Sequence, residues 1–119
     1  MKISVLCFDL SSNAFGRAWL LAKALSRVYD VEIIGTSRKG GIWVPMRHSK
    51  IPVKEFPWCR YPKFSRIKKN ILDAIDGDII LVSKLMPTSF GIGLQKKQSS
   101  GKPLIVDIDD WELGFFYHS

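Results

Sequence analysis

Lys2-Ile3-Ser4-Val5-Leu6-Cys7-Phe8, followed at once by Asp9-Leu10-Ser11-Ser12-Asn13, is the stretch that decides the fold. The first seven residues are mostly apolar or β-branched and read as a buried strand. The next five are rich in side chains that cap helices, so a helix is expected to start near Ala14. From there Ala18, Leu21, Ala22, Leu25 and Val28 recur at three- and four-residue intervals, with Arg17, Lys23 and Arg27 off that stripe. This is the pattern of a helix laid on a sheet. Asp30 breaks it, and Val31 to Thr36 supplies a second strand, completing a strand-helix-strand unit whose crossover is expected to be right-handed.

The same alternation continues outward. Ser37 to Lys50 has Gly40-Gly41 and Pro45 and no sustained period, which predicts a loop. Val53 to Phe56, between Pro52 and Pro57, reads as a short edge strand, since proline is confined to sheet edges. Ser65 is placed to cap a helix with Ile67, Ile71, Ala74 and Ile75 on its apolar side, and Asp76-Gly77 ends it. Ile79 to Ser83 is a strongly apolar strand, Pro87 to Ser99 a helix with Gly91 and Gly93 inside it, and Leu104-Ile105-Val106 opens a fifth strand. That last strand is expected to be buried on both faces, and it runs into the carboxylates Asp107, Asp109 and Asp110.

Five strands alternating with helices predict an α/β fold, a Rossmann-like doubly wound parallel sheet in a three-layer αβα sandwich, with strand order 3-2-1-4-5. Ligands in such sheets bind outside the carboxyl ends of the strands, where the order reverses. The expected crevice therefore lies between the segments 10–17 and 84–89, with Asp109 and Asp110 on its far side.

Composition agrees with one globular domain. The chain has 119 residues, 46% hydrophobic and 24% charged, and a domain of this size buries about two-thirds of its unfolded surface. No run approaches the roughly 20 apolar residues of a membrane span, and Asp9 interrupts the N-terminal run before it reaches signal-peptide length, so a cytoplasmic location is expected. Cys7 and Cys59 lack CxxC spacing and read as structural thiols in a reducing compartment. The net charge is +7, and between Arg38 and Lys69 ten Lys or Arg face one acid, Glu55. That field would attract nucleic acid, anionic lipid or a phosphorylated substrate, or simply solvate a face.

Known chemical motifs are few. No GxxxxGK[ST] or GxSxG occurs, and Lys96 stands where GxGxxG after Gly91 needs its third glycine. Asp107-Ile108-Asp109 has DxD spacing, which can hold a metal or a nucleophile. However, Trp111 stands where a nucleophilic motif has Thr or Val, and the strand comes last rather than first. If Asp107 lies in a strand its carboxylate needs a partner, and an Arg or Lys from a neighbouring loop serves that purpose. Asn13, Gly16 and Arg17 fall where a helix N-terminus offers free N–H groups to an anion.

The runs Asp9 to Arg17, Leu21-Ala22-Lys23-Ala24-Leu25 and Asp30-Val31-Glu32-Ile33-Ile34-Gly35 together resemble the start of GT-B glycosyltransferases of the family 4 type. Lys102-Pro103-Leu104-Ile105-Val106-Asp107-Ile108-Asp109-Asp110 is similar to that family's "KP-hydrophobic-HD" strand. The glycine pair of the family's first loop is Ser12-Asn13 here, and its strand-five histidine is Asp109. The resemblance spans essentially the whole chain. It implies an N-terminal, acceptor-side domain over residues 1–119, without the nucleotide-sugar domain and its E-x7-E motif; Glu32, Glu55 and Glu112 are the only glutamates. The implied reaction is sugar transfer from a nucleotide-sugar to an acceptor glycan or lipid-linked sugar, with retention, no metal and no other cofactor, and with the isolated fragment inactive. It implies Asp109 as the catalytic carboxylate and Asn13, Phe15, Gly16, Arg17, Lys84 and Asp110 as substrate-binding residues. Lys63, Arg66, Lys68 and Lys69 would rest on an anionic membrane.

Two other classes compete with it, although nucleic acid is not an expected partner. A non-enzymatic α/β nucleotide- or phosphate-binding module would use the same crevice without a second domain. Nucleic-acid binding would use Trp58, Tyr61 and Phe64 interleaved with Arg60 and Lys63 as stacking platforms, although a proline-punctuated loop also covers a sheet edge with aromatics.

Overall fold

The computed structural model describes residues 1–11, 14–37, 51–60, 62–83 and 86–107. In chain order its elements are β1 (Lys2–Cys7), α1 (Ala14–Leu25), β2 (Asp30–Ser37), β3 (Val53–Pro57), α2 (Phe64–Ala74), β4 (Ile79–Ser83), a π-helical turn (Pro87–Gly91), α3 (Ile92–Ser100) and β5 (Leu104–Asp107). All neighbouring strands pair parallel in the order β3-β2-β1-β4-β5. This is the Rossmann-like α/β arrangement the alternation predicts, with the order reversing between β1 and β4.

Alternation along the strands divides the core in two, because successive side chains point to opposite faces. Ile3, Val5, Cys7, Val31, Ile33 and Leu81 pack under Ala14, Phe15, Ala18 and Ala22 of α1. Leu6, Ile34, Ile80 and Val82 pack on the other face under Phe64 and Ile71 of α2, Ile75 and Ile92 of α3. The three layers follow directly from two buried faces.

Four details differ from the sequence expectation. Helix α1 stops at Leu25, and Val28, placed on its stripe, is 76% exposed. The chain has already left the helix there, its last turn closed by the Ser26 hydroxyl on the Lys23 carbonyl. Helix α2 begins at Phe64, so Ser65 lies within its first turn rather than capping it. The helix expected from Pro87 is split, because the N–H groups of Ser89, Phe90 and Gly91 all converge on the Met86 carbonyl and widen the first turn. Finally, β5 is not buried on both faces: Ile105 is 53% exposed. Strand order puts β5 at the edge, and α1 covers β1 and β2 instead. Ile105 consequently lines an apolar groove of about 410 Å³ with Ile3, Ile79, Leu81, Leu21 and Leu25.

Helix α3 approaches the sheet through Gly93. A Cβ there would lie 2.7 Å from Val82 Cγ2 and 3.2 Å from Leu104 Cδ1, whereas one at Gly91 meets nothing within 4 Å. Overpacking against a stiff β-branched neighbour costs about 1–3 kcal/mol, while removing a glycine from an open helical position gains up to about 1 kcal/mol. Urea denaturation should therefore show a lower midpoint for Gly93→Ala and an equal or higher one for Gly91→Ala.

Candidate functional site at the carboxyl edge

The reversal of strand order opens the sheet's carboxyl edge between β1 and β4. The segment leaving β1 is pinned toward β2. The Leu10 N–H donates to the Thr36 carbonyl at 2.7 Å, and the Thr36 hydroxyl donates to the Phe8 carbonyl at 2.9 Å. Gly35 makes room for this path, since a Cβ on it would lie 2.5 Å from the Cys7 carbonyl oxygen and 3.1 Å from Leu10. Asp9 then accepts from the Ser11 N–H at 3.0 Å and from its hydroxyl, an Asx turn that leads the chain toward α1.

Across the edge, Cys7, Ser83 and Asp107 are register partners on β1, β4 and β5. Arg17, in the first turn of α1, spans β4 to reach Asp107. Its Nε donates to Oδ2 at 3.0 Å and its Nη2 to Oδ1 at 3.1 Å, a two-pronged fork on a carboxylate. The side chains are 41% and 21% exposed, so the pair sits at the rim. The Ser83 hydroxyl lies on the strand between them. Ser83 is 2% exposed, and its oxygen has no hydrogen-bond partner among the described residues.

The site residues named from sequence divide accordingly. Phe15, Gly16 and Arg17 are brought to the edge in the first turn of α1, and only Arg17 presents a charged group there. Phe15, assigned to the cleft floor, is fully buried in the core, so it supports the floor from beneath and offers no surface to a ligand. Gly16 is half-buried. Asn13, Lys84, Asp109 and Asp110 lie outside the described residues. Asp107 has the basic partner its strand position demands. Ser83 escaped the sequence reading; the one available signal was a polar residue ending an otherwise apolar strand. Among the described residues no three His, Cys, Asp or Glu side chains gather as a metal site would require, and no helix is long and apolar enough to cross a membrane.

A second polar cluster sits at the opposite, amino edge. Glu32 on β2 is 2% exposed. Its Oε1 accepts from the Ser4 hydroxyl at 2.7 Å and faces the Asp76 N–H at 3.5 Å. Its Oε2 lies 2.8 Å from Lys54 Nζ and 3.5 Å from Lys2 Nζ. Lys54 also donates to the Ala74 carbonyl at the end of α2, and the Gly77 N–H donates to Ser4 Oγ. Hydrogen bonding to Glu32, then to the Lys2 ammonium 2.8 Å away, holds Asp76 down at about 2. Such a cluster fastens β1, β2, β3 and the end of α2 together.

A third feature is a groove of about 610 Å³ lined by Cys59, Pro62, Lys63, Arg66 and Ile67, which belongs to the basic middle of the chain.

Two outcomes follow for the amino-edge cluster. Removing one partner of a buried pair costs about 3–5 kcal/mol, and Lys54 is 37% exposed, so Lys54→Met is expected to cost about 2 kcal/mol by urea titration at pH 7. Because the folded Asp76 carboxyl sits below its ordinary 3.8, its contribution is complete above about pH 4 and lost as pH falls toward 2. Asp76→Asn should flatten that acid limb. An unchanged stability profile between pH 4 and 2 would mean the carboxylate is not held by its partners.

No family model and no curated protein sequence matches the chain. Two crystal structures of the C-terminal domain of a hydrogenase from Pyrococcus furiosus do resemble it in shape. One has a TM-score of 0.61 at 14% identity, covering 89% of this chain and 90% of that one. The other has a TM-score of 0.59 at 15% identity, covering 90% of each. At such identity the likeness is one of fold, an α/β domain of the same arrangement.

Proposed function

We propose that the chain is the acceptor-side half of a GT-B-type glycosyltransferase, whose carboxyl edge forms one wall of a cleft closed by a nucleotide-sugar domain. The observation that carries this reading is the Arg17–Asp107 pair, which sets a guanidinium and a carboxylate together over the strand-order reversal. A basic group there can orient a phosphoryl-bearing substrate, and the carboxylates that follow Asp107 in sequence, Asp109 and Asp110, can orient acceptor hydroxyls. Among the residues that carry the resemblance to the family, Arg17 and Asp107 meet at that same edge. Sugar passes from a nucleotide-sugar donor to an acceptor glycan or lipid-linked sugar with retention, and Asp109 is the carboxylate assigned to the reaction centre. Catalysis in this architecture needs both walls, so one wall alone is inactive.

The basic helix α2 would bring that wall to a membrane presenting a lipid-linked acceptor. Lys63, Arg66 and Lys69 on or beside it are exposed. Each basic residue near an anionic surface adds about 1 kcal/mol of attraction. Co-sedimentation with vesicles should rise with anionic lipid content and fall with salt, and equal binding to neutral vesicles removes the membrane role.

The alternative is a phosphate- or nucleotide-binding module without transfer, favoured by the Ser83 hydroxyl, which has no hydrogen-bond partner among the described residues and stands in register with Asp107. A transfer assay separates the two. The polypeptide encoded by the complete gene is expected to move a labelled sugar from a nucleotide donor, and the 119-residue chain to move none. Asp109→Asn is expected to lower turnover at least about tenfold with donor affinity unchanged, the pattern of a group acting on the reacting centre. Full turnover in that variant, or a complete gene product without transfer, turns the reading to the binding module.

A further inference from the structure

We infer that the Arg17–Asp107 pair is an exchangeable latch over an oxyanion subsite: a phosphoryl or pyrophosphoryl group takes the guanidinium from Asp107, and the Ser83 hydroxyl becomes the vacated carboxylate's partner. This rests on reading the carboxyl edge as the ligand face, as the proposed function does, but it needs no sugar transfer.

Three observations converge. First, Arg17 gives Asp107 two parallel N–H donors at 3.0 and 3.1 Å, and that fork fits a phosphoryl group as well as it fits a carboxylate. Asp107 therefore holds the place that an incoming anion would take. Second, the pair is reachable from water, at 41% and 21% exposure, and exposed pairs are held weakly enough for an anion to compete. Third, the buried Ser83 hydroxyl has no partner among the described residues, although buried polar groups nearly always do. Its strand neighbour in register is Asp107, one strand spacing away at about 4.8 Å. With Arg17 in place, that hydroxyl donates to neither carboxylate oxygen. When Arg17 turns to an anion, the carboxylate would be left unsatisfied at the edge of the core, and Ser83 is the donor positioned to satisfy it.

The contrast with Glu32 sharpens the assignment. That carboxylate is 2% exposed and fully partnered, so nothing about its cluster calls for a second state. At the carboxyl edge, among the described residues, one buried polar group is unpartnered and one ion pair is accessible.

The test is calorimetric titration of the 119-residue chain with inorganic pyrophosphate and, separately, with a nucleoside diphosphate. An intramolecular competitor lowers apparent affinity by the fraction of time it occupies the site, so Asp107→Asn is expected to tighten pyrophosphate binding by about three- to tenfold. Arg17→Gln is expected to abolish binding, and Arg17→Lys, which keeps the charge without the fork, to weaken it by about tenfold or more. Ser83→Ala is expected to weaken wild-type binding by about threefold and to have no effect in the Asp107→Asn background, where no charge awaits the hydroxyl. Circular dichroism melts establish that each variant is folded. Tighter binding of the nucleoside diphosphate than of pyrophosphate assigns the subsite to a nucleotide, and equal binding assigns it to the phosphoryl group alone. Equal or weaker binding by Asp107→Asn, or no binding by any folded variant, overturns the latch. Binding with the expected pattern but no sugar transfer by the complete gene product leaves the latch standing and removes the transferase.

Discussion

Strand β1 is paired on both sides, with β2 through Lys2 to Cys7 and with β4 through Ile3 to Cys7, and everything else in the molecule depends on that double pairing. The chain passes from β1 to β2 through α1 and returns from β3 to β4 through α2, so the two crossovers run in opposite directions along the sheet, and crossovers of one hand then cover opposite faces. The helices are therefore forced onto opposite faces, and both faces of β1 must be apolar. Ile3, Val5 and Cys7 answer one demand and Leu6 the other. Ser4 is the exception, and its hydroxyl serves Glu32 and Gly77. At the other end of the strand, β1 and β4 are the pair between which the strand order reverses, the position where sheets of this kind bind ligands.

The two edges of the sheet manage charge differently. The amino edge buries a carboxylate and surrounds it with two lysines, a hydroxyl and a backbone N–H, so that desolvation is offset by several charge-assisted bonds. The carboxyl edge keeps its ion pair at the rim, and the Ser83 hydroxyl there has no partner among the described residues. Local rules are most often broken where a protein acts, and here the incompletely satisfied cluster lies at the edge that topology assigns to ligands.

Topology was legible in the sequence because it follows from short-range patterns: apolar strands, a 3.6-residue stripe on α1, and punctuation at Asp30 and Asp76-Gly77. Details that depend on distant neighbours were not. Ile105 looks like a core residue within its own run, but its 53% exposure is decided by which helix covers the edge strand. Glu32 interrupts an apolar strand, and nothing nearby says that Lys54 and Lys2 will arrive beside it. Phe15 could have been placed in the core, since Phe15, Ala18 and Ala22 continue one helical stripe. At Asp107 the need for a basic partner was legible from the strand, whereas its identity was not, because Arg17 lies 90 positions away.

Likeness to a hydrogenase domain at 14% identity carries the arrangement of strands and helices and nothing about chemistry. An exposed ion pair adds little to stability, so the Arg17–Asp107 fork has small value as a fastener taken by itself. Its geometric effect is larger, since it ties the first turn of α1 to the end of an edge strand across β4. Any group that draws Arg17 away also loosens that tie, so occupancy of the subsite and the position of β5 relative to α1 are coupled through a single side chain.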